Sequence, residues 1–138
     1  MLKLNKKGFT LIELLVVIAI IGILASIVLV SLNDARNKGY DTEIKSELQQ
    51  VRNAMEMCYD NNGGTYTGCA VPAGLTPPTC STDAGAVYSL TISAAPGTAY
   101  QVHADLCTGA VGVEWCVDST GRSVKTAAIV VHADSVCP

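Results

Sequence analysis

Hydrophobic positions along the chain follow three successive patterns. Residues 9–30 form an apolar run in which Glu13 is the single charged side chain. As a helix at ~1.5 Å per residue this run is about 33 Å long, close to the ~30 Å of a bilayer hydrocarbon core. Its many β-branched residues, Ile12, Val16, Val17, Ile20 and Ile21 among them, would also suit a strand. A strand of that length lies far outside the usual range, so the pattern predicts a membrane helix. Beyond it, Ile44, Leu48, Val51 and Met55 recur at alternating spacings of four and three, the stripe of an amphipathic helix. Glu43, Lys45, Glu47 and Arg52 fall outside that stripe. The helix is therefore expected to continue over 31–59, with a weak point and a bend at Gly39, and to stop at Asp60-Asn61-Asn62-Gly63-Gly64. If continuous over 9–59 it would be about 75 Å long.

The third pattern has period two. Tyr88, Leu90 and Ile92 alternate with Ser89 and Thr91; Tyr100, Val102, Ala104 and Leu106 with Gln101, His103 and Asp105; Val113, Trp115 and Val117 with Glu114, Cys116 and Asp118. Turn residues separate these runs, and residues 123–131 could form a fourth strand. Such alternation predicts an antiparallel sheet with one face packed and the other wet, the packed face meeting the stripe of the helix. Between helix and sheet, residues 60–85 are rich in proline, glycine and threonine without periodicity, and read as an irregular loop tied down by Cys69 and Cys80. The expected organisation is thus a short leader (1–8), an apolar helix (9–30), its amphipathic continuation (31–59) and a β-sheet head (60–138).

Charge alters the picture at the N-terminus. Lys3, Lys6 and Lys7 precede the apolar run with no acid among them, which sets that end on the cytoplasmic side and sends the rest outward. The run is too long for an ordinary secretory signal, and SLNDARNKGYD rather than a small-residue cleavage site follows it. The natural place for a cut is Gly8, at the polar–apolar junction. Glu13 is costly in a membrane span, although its position one turn from the start and the helix dipole reduce the penalty. A new α-amine at Phe9, from the same chain or a neighbour, would be a positive partner for it.

The segment Lys7-Gly8-Phe9-Thr10-Leu11-Ile12-Glu13-Leu14-Leu15 resembles the leader junction of type IV pilins and type II secretion pseudopilins. The resemblance covers about a quarter of the chain. It implies cleavage after Gly8 by a prepilin peptidase, N-methylation of Phe9, and a role for Glu13 in filament assembly with a neighbour's N-terminus. It further implies an α+β pilin-like fold, no catalytic activity and no cofactor. The implied partners are copies of this chain or other pilins in a helical filament, a pilus or secretion assembly platform, and the cytoplasmic membrane before assembly. The product would be an extracellular pilus or, for a pseudopilin of a secretion or DNA-uptake system, a periplasmic filament. Many pilins have a proline in the span; this chain has none, and any local loosening is expected at Gly22.

Composition sets the remaining limits. The chain has 138 residues, 49% hydrophobic and only 15% charged, with nine basic against twelve acidic side chains. That balance provides no basic footprint for nucleic acid. Loss of residues 1–8 removes three lysines and no acid, leaving six basic against twelve acidic and moving the net charge from −3 to −6. Cys58, Cys69, Cys80, Cys107, Cys116 and Cys137 lack the close pairing of a zinc site and are disulfide candidates in an oxidising compartment. A chain end fastened at Cys137 resembles the C-terminal disulfide loop of many type IV pilins, most simply Cys116–Cys137, with Cys107–Cys116 as the local rival. His103 with Asp105, and His132 with Asp134, share a V-H-A-D string that could bind a metal but reads more simply as solvated strand faces. Asp118 with Asp83 could join a calcium site, although no dense acidic loop supplies the six to eight oxygens required. Trp115 is expected in the core, an exposed adhesive aromatic being the rival reading. Hydrolase, metalloprotease and phosphate-loop motifs are absent from the sequence.

Overall fold

A computed structural model describes residues 8–80, 88–94, 96–108, 112–127 and 135–138. The lysine-bearing leader up to Lys7, Asp83, and the second V-H-A-D string with His132 and Asp134 lie outside these residues. The chain divides into two units, Met1–Ala35 and Arg36–Pro138. One helix, α1 (Leu11–Asn61), runs through the boundary and passes Gly22 and Gly39 without interruption.

In the first unit the large apolar side chains of α1 are exposed. Of its large apolar side chains up to Val30, Val17 is the least exposed, and it is still 46% exposed. The hydroxyl of Ser26 donates to the Gly22 carbonyl at 2.9 Å, satisfying a polar group within the helix itself.

In the second unit the expected stripe is the core. Ile44, Leu48, Val51 and Met55 are fully buried against the sheet residues Tyr100, Val102, Ala104 and Val117. The sheet is a four-stranded antiparallel meander of β1 (Ser89–Ile92), β2 (Tyr100–Asp105), β3 (Glu114–Asp118) and β4 (Ser123–Thr126), in chain order. Its register pairs Leu90 with Val102, Val102 with Val117 and Ala104 with Trp115, so the predicted apolar positions share the face toward α1. The expected fourth strand is observed over Ser123–Thr126, and its remaining residues 128–131 lie outside the description. Helix, antiparallel sheet and disulfides together make the α+β pilin-like fold expected from the sequence.

The face opposite α1 departs from expectation. Gln101, Cys116 and Asp118 occupy its supposedly wet positions, yet each is fully buried. For Cys116 and Asp118 the C-terminal residues account for this: Cys137 is bonded to Cys116, and its N–H donates to Asp118 at 2.9 Å. The alternation of β3 is real, but the returning tail covers one end of its polar face.

Three disulfides staple the second unit: Cys58–Cys69, Cys80–Cys107 and Cys116–Cys137. Cys107 thus pairs with Cys80 in the irregular loop rather than with Cys116 across the hairpin. In the same region the β1–β2 turn sits hard against residues 65–67. Gly97 has φ +71°, and a Cβ there would come within 2.1 Å of the Thr67 hydroxyl oxygen, so only glycine fits. Its carbonyl accepts the Tyr66 N–H at 2.8 Å.

Candidate functional site

The residues singled out at the N-terminus lie in an exposed segment that becomes helical within it. Gly8, Phe9 and Thr10 precede α1 and are exposed, which leaves the Gly8–Phe9 peptide bond outside any regular hydrogen-bonded element. Glu13 stands at the third helical position. Its Oε2 accepts the Thr10 N–H at 2.8 Å and the Thr10 hydroxyl at 2.6 Å, while the Glu13 N–H donates to Thr10 Oγ1 at 3.3 Å. This reciprocal arrangement is a capping box, in which two N-terminal N–H groups of the helix find side-chain acceptors. Its signal in the sequence is the threonine three residues before the glutamate, which hydrophobic periodicity does not mark. Both Thr10 bonds fall on Oε2, and Oε1 takes neither.

The second unit is fixed by polar contacts at both flanks of the apolar stripe. Asp41, one turn before Ile44, is buried and accepts the main-chain N–H groups of Cys107 at 2.6 Å and Thr108 at 3.2 Å, with the Thr108 hydroxyl also donating to it. On the β4 side, Lys45 lies 4.5 Å from the centre of the Trp115 ring. Gln49 Nε2 and Trp115 Nε1 both donate to Ser123 Oγ, and Arg52 donates to the Arg122 carbonyl. Trp115 is therefore partly buried against the core, as expected of it, with its indole N–H satisfied. Tyr88 donates to Glu47 from the opposite flank.

Near the C-terminal end of α1 the Glu56 carboxylate accepts from the hydroxyls of Tyr66 (3.0 Å) and Tyr100 (3.4 Å). The rings of Tyr59, Tyr66 and Tyr100 follow one another at centroid separations of 4.6 and 4.7 Å. Burial, reinforced by the negative Glu56, pushes the Tyr100 hydroxyl up to about 12 and raises that of Tyr66 further.

Of the suggested ligand residues, Asp118, His103 and Asp105 lie among the described ones. Asp118 Oδ1 accepts from the Thr120 N–H, the Thr120 hydroxyl and the Arg122 N–H, and Oδ2 from Cys137, so protein donors occupy both oxygens. That carboxylate fastens a turn and the chain end, while Asp83, its suggested companion in a calcium site, lies outside the described residues. His103 lies 4.0 Å from Glu114, beyond hydrogen-bonding range, and burial holds its imidazole below the usual histidine value. Among the described residues no three His, Cys, Asp or Glu side chains converge as a metal site.

Comparisons with known proteins bear on the N-terminal segment directly. A family model described as "Prokaryotic N-terminal methylation motif" matches residues 3–29. The chain is 46% identical over 63 residues to the type IV wide pilus major component of Thermus thermophilus, covering 46% of this chain and 47% of that protein. It is 49% identical over 51 residues to the type IV major alpha-pilin of Moraxella bovis, covering 37% and 32% respectively. Against the type II secretion system core protein G of Aeromonas hydrophila it is 37% identical over 82 residues, 59% of this chain and 57% of that protein. The matches thus span about a third to rather more than half of these relatives. No solved structure matches the chain. The α1 helix is long and apolar enough to cross a membrane, which is consistent with membrane anchoring.

Proposed function

We propose that this chain, which its methylation motif and relatives support as a member of the type IV pilin and pseudopilin family, is a structural subunit of a type IV pilus-like filament. The carrying observation is the combination of that motif with a helix whose large apolar side chains up to Val30 are exposed. Large side chains this exposed need lipid or other helices around them. In this reading residues 9–30 first span the cytoplasmic membrane with the N-terminus inside, and residues 31–59 continue into a disulfide-stapled head outside.

Prepilin peptidase cuts the exposed Gly8–Phe9 bond, removing residues 1–8, and Phe9 is then N-methylated. The assembly platform transfers the helix from lipid to a bundle of like helices. One apolar surrounding replaces another, so burial alone gives little registry. Glu13 supplies it. The capping bonds to Thr10 hold the Glu13 Oε2 at the start of α1, which supports a carboxylate that meets the positive N-terminus of a neighbour through Oε1. The subunit has no catalytic task. Mass spectrometry of the protein purified from cells with an active prepilin peptidase tests the reading: a chain beginning at methylated Phe9 is expected, and a chain still beginning at Met1 contradicts it.

The similarity to the type II secretion protein favours a second reading, a pseudopilin forming a short periplasmic filament, because that match covers the larger share of this chain. Filaments on the cell surface distinguish a pilin from this alternative.

A further inference from the structure

The chain has six asparagines, and only Asn62 is followed by glycine. An Asn-Gly pair is the sequence most prone to spontaneous loss of the side-chain amide, because glycine leaves the following main-chain nitrogen unhindered. That nitrogen attacks the asparagine Cγ. The new N–Cγ bond closes a succinimide, the Cγ–Nδ2 bond breaks, and ammonia leaves with the proton from the glycine nitrogen. Water then opens the ring at either carbonyl to give aspartate or isoaspartate. Water enters and ammonia departs, with no enzyme, oxidant or cofactor required.

In this fold both reacting groups are held. The Gly64 N–H donates to the Tyr59 carbonyl at 3.0 Å and Gly63 takes φ +70°, the left-handed ending of a helix, which fixes the Gly63 nitrogen. The Asn62 amide uses Nδ2 to reach the Thr65 carbonyl at 3.1 Å and the Thr67 carbonyl at 2.8 Å. Turning Cγ toward Gly63 breaks both bonds. The whole arrangement lies inside the ring closed by Cys58–Cys69.

The same contacts tie this loop to the rest of the head. Between the two carbonyls that Asn62 holds, Tyr66 donates its N–H to Gly97 and its hydroxyl to Glu56. A carboxylate at position 62 has no hydrogens to give and repels the carbonyl oxygens of Thr65 and Thr67, and isoaspartate also lengthens the main chain.

We infer that Asn62 is a fold-gated deamidation site, protected while its amide bridges Thr65 and Thr67, whose conversion releases residues 65–69 from the sheet. Peptide mapping by mass spectrometry tests the gate. The oxidised full-length protein in detergent is incubated at mildly alkaline pH beside the same protein reduced, S-alkylated and unfolded. Loss of the Asn62 amide is expected to be slower in the folded protein by roughly tenfold or more, the worth of two hydrogen bonds. Equal rates, or a faster rate in the folded protein, overturn the gate. Asn62→Asp tests the consequence: hydrogen exchange at the Tyr66 N–H is expected to accelerate several-fold, and exchange unchanged from the parent overturns the release.

Discussion

Thr10 and Glu13 cap the start of α1 for one another, the glutamate accepting the threonine N–H and the threonine hydroxyl oxygen accepting the glutamate N–H. The residue proposed for assembly is thus also a residue of local helix structure, and the two roles can be separated. Thr10→Ala removes the hydroxyl but leaves the carboxylate. Hydrogen exchange in the first turn of α1 is expected to quicken several-fold in detergent, while Thr10→Ser retains the parent rate.

Asp41 joins the helix to the end of β2 through two main-chain N–H groups and a hydroxyl. Asp41→Ala leaves those buried donors without an acceptor, at a cost of about 3 kcal/mol. Denaturant unfolding of the head is expected at lower concentration, its unfolding free energy reduced by that amount, with Asp41→Asn losing less because one carbonyl oxygen remains.

The chain end is held by Cys116–Cys137, by Asp118 on the Cys137 N–H and by Arg122, which donates to the Cys137 carbonyl at 2.8 Å. Replacing both cysteines with serine is expected to cost about 2–4 kcal/mol. Since Asp118→Ala loosens the same tail, the triple variant is expected to lose less than the sum, a coupling that a double-mutant cycle measures.

His103 gives the head an acid limit. Burial disfavours its charged form, outweighing the attraction of Asp105, so its folded value lies below its unfolded one. Below the unfolded value of about 6.5 the unfolded chain binds the extra proton more readily. Stability is therefore expected to fall as pH drops through that value and towards the folded one, and to rise with pH across the same interval. Thermal unfolding of His103→Gln is expected to be flatter over this range than that of the parent.

The helix, its stripe and the strand faces were legible because each depends on a period that the backbone imposes within a few residues. Ile44, Leu48, Val51 and Met55 needed no tertiary knowledge beyond a partner surface. Asp41 was not legible: it continues the buried stripe by one turn, but a carboxylate is buried only where distant donors, here Cys107 and Thr108, are brought to it. The burial of Cys116 and Asp118 likewise depends on a tail returning from Cys137 to Cys116, a link that alternation along β3 does not encode. Cysteine spacing left Cys107 with a local partner in reach, whereas the fold brings the more distant Cys80 to it. At the N-terminus Gly8, Phe9 and Glu13 were marked by chemistry, while Thr10 became visible only through its bonds to Glu13.

In the proposed filament Glu13 acts between subunits. Cells producing Glu13→Ala in place of the parent chain are sheared, and the released filaments are counted by electron microscopy and probed for this protein, with membrane fractions examined in parallel. The expected result is normal amounts of the chain in the membrane with filaments lost or sharply reduced. Filaments of normal number and length containing the Glu13→Ala chain would contradict it.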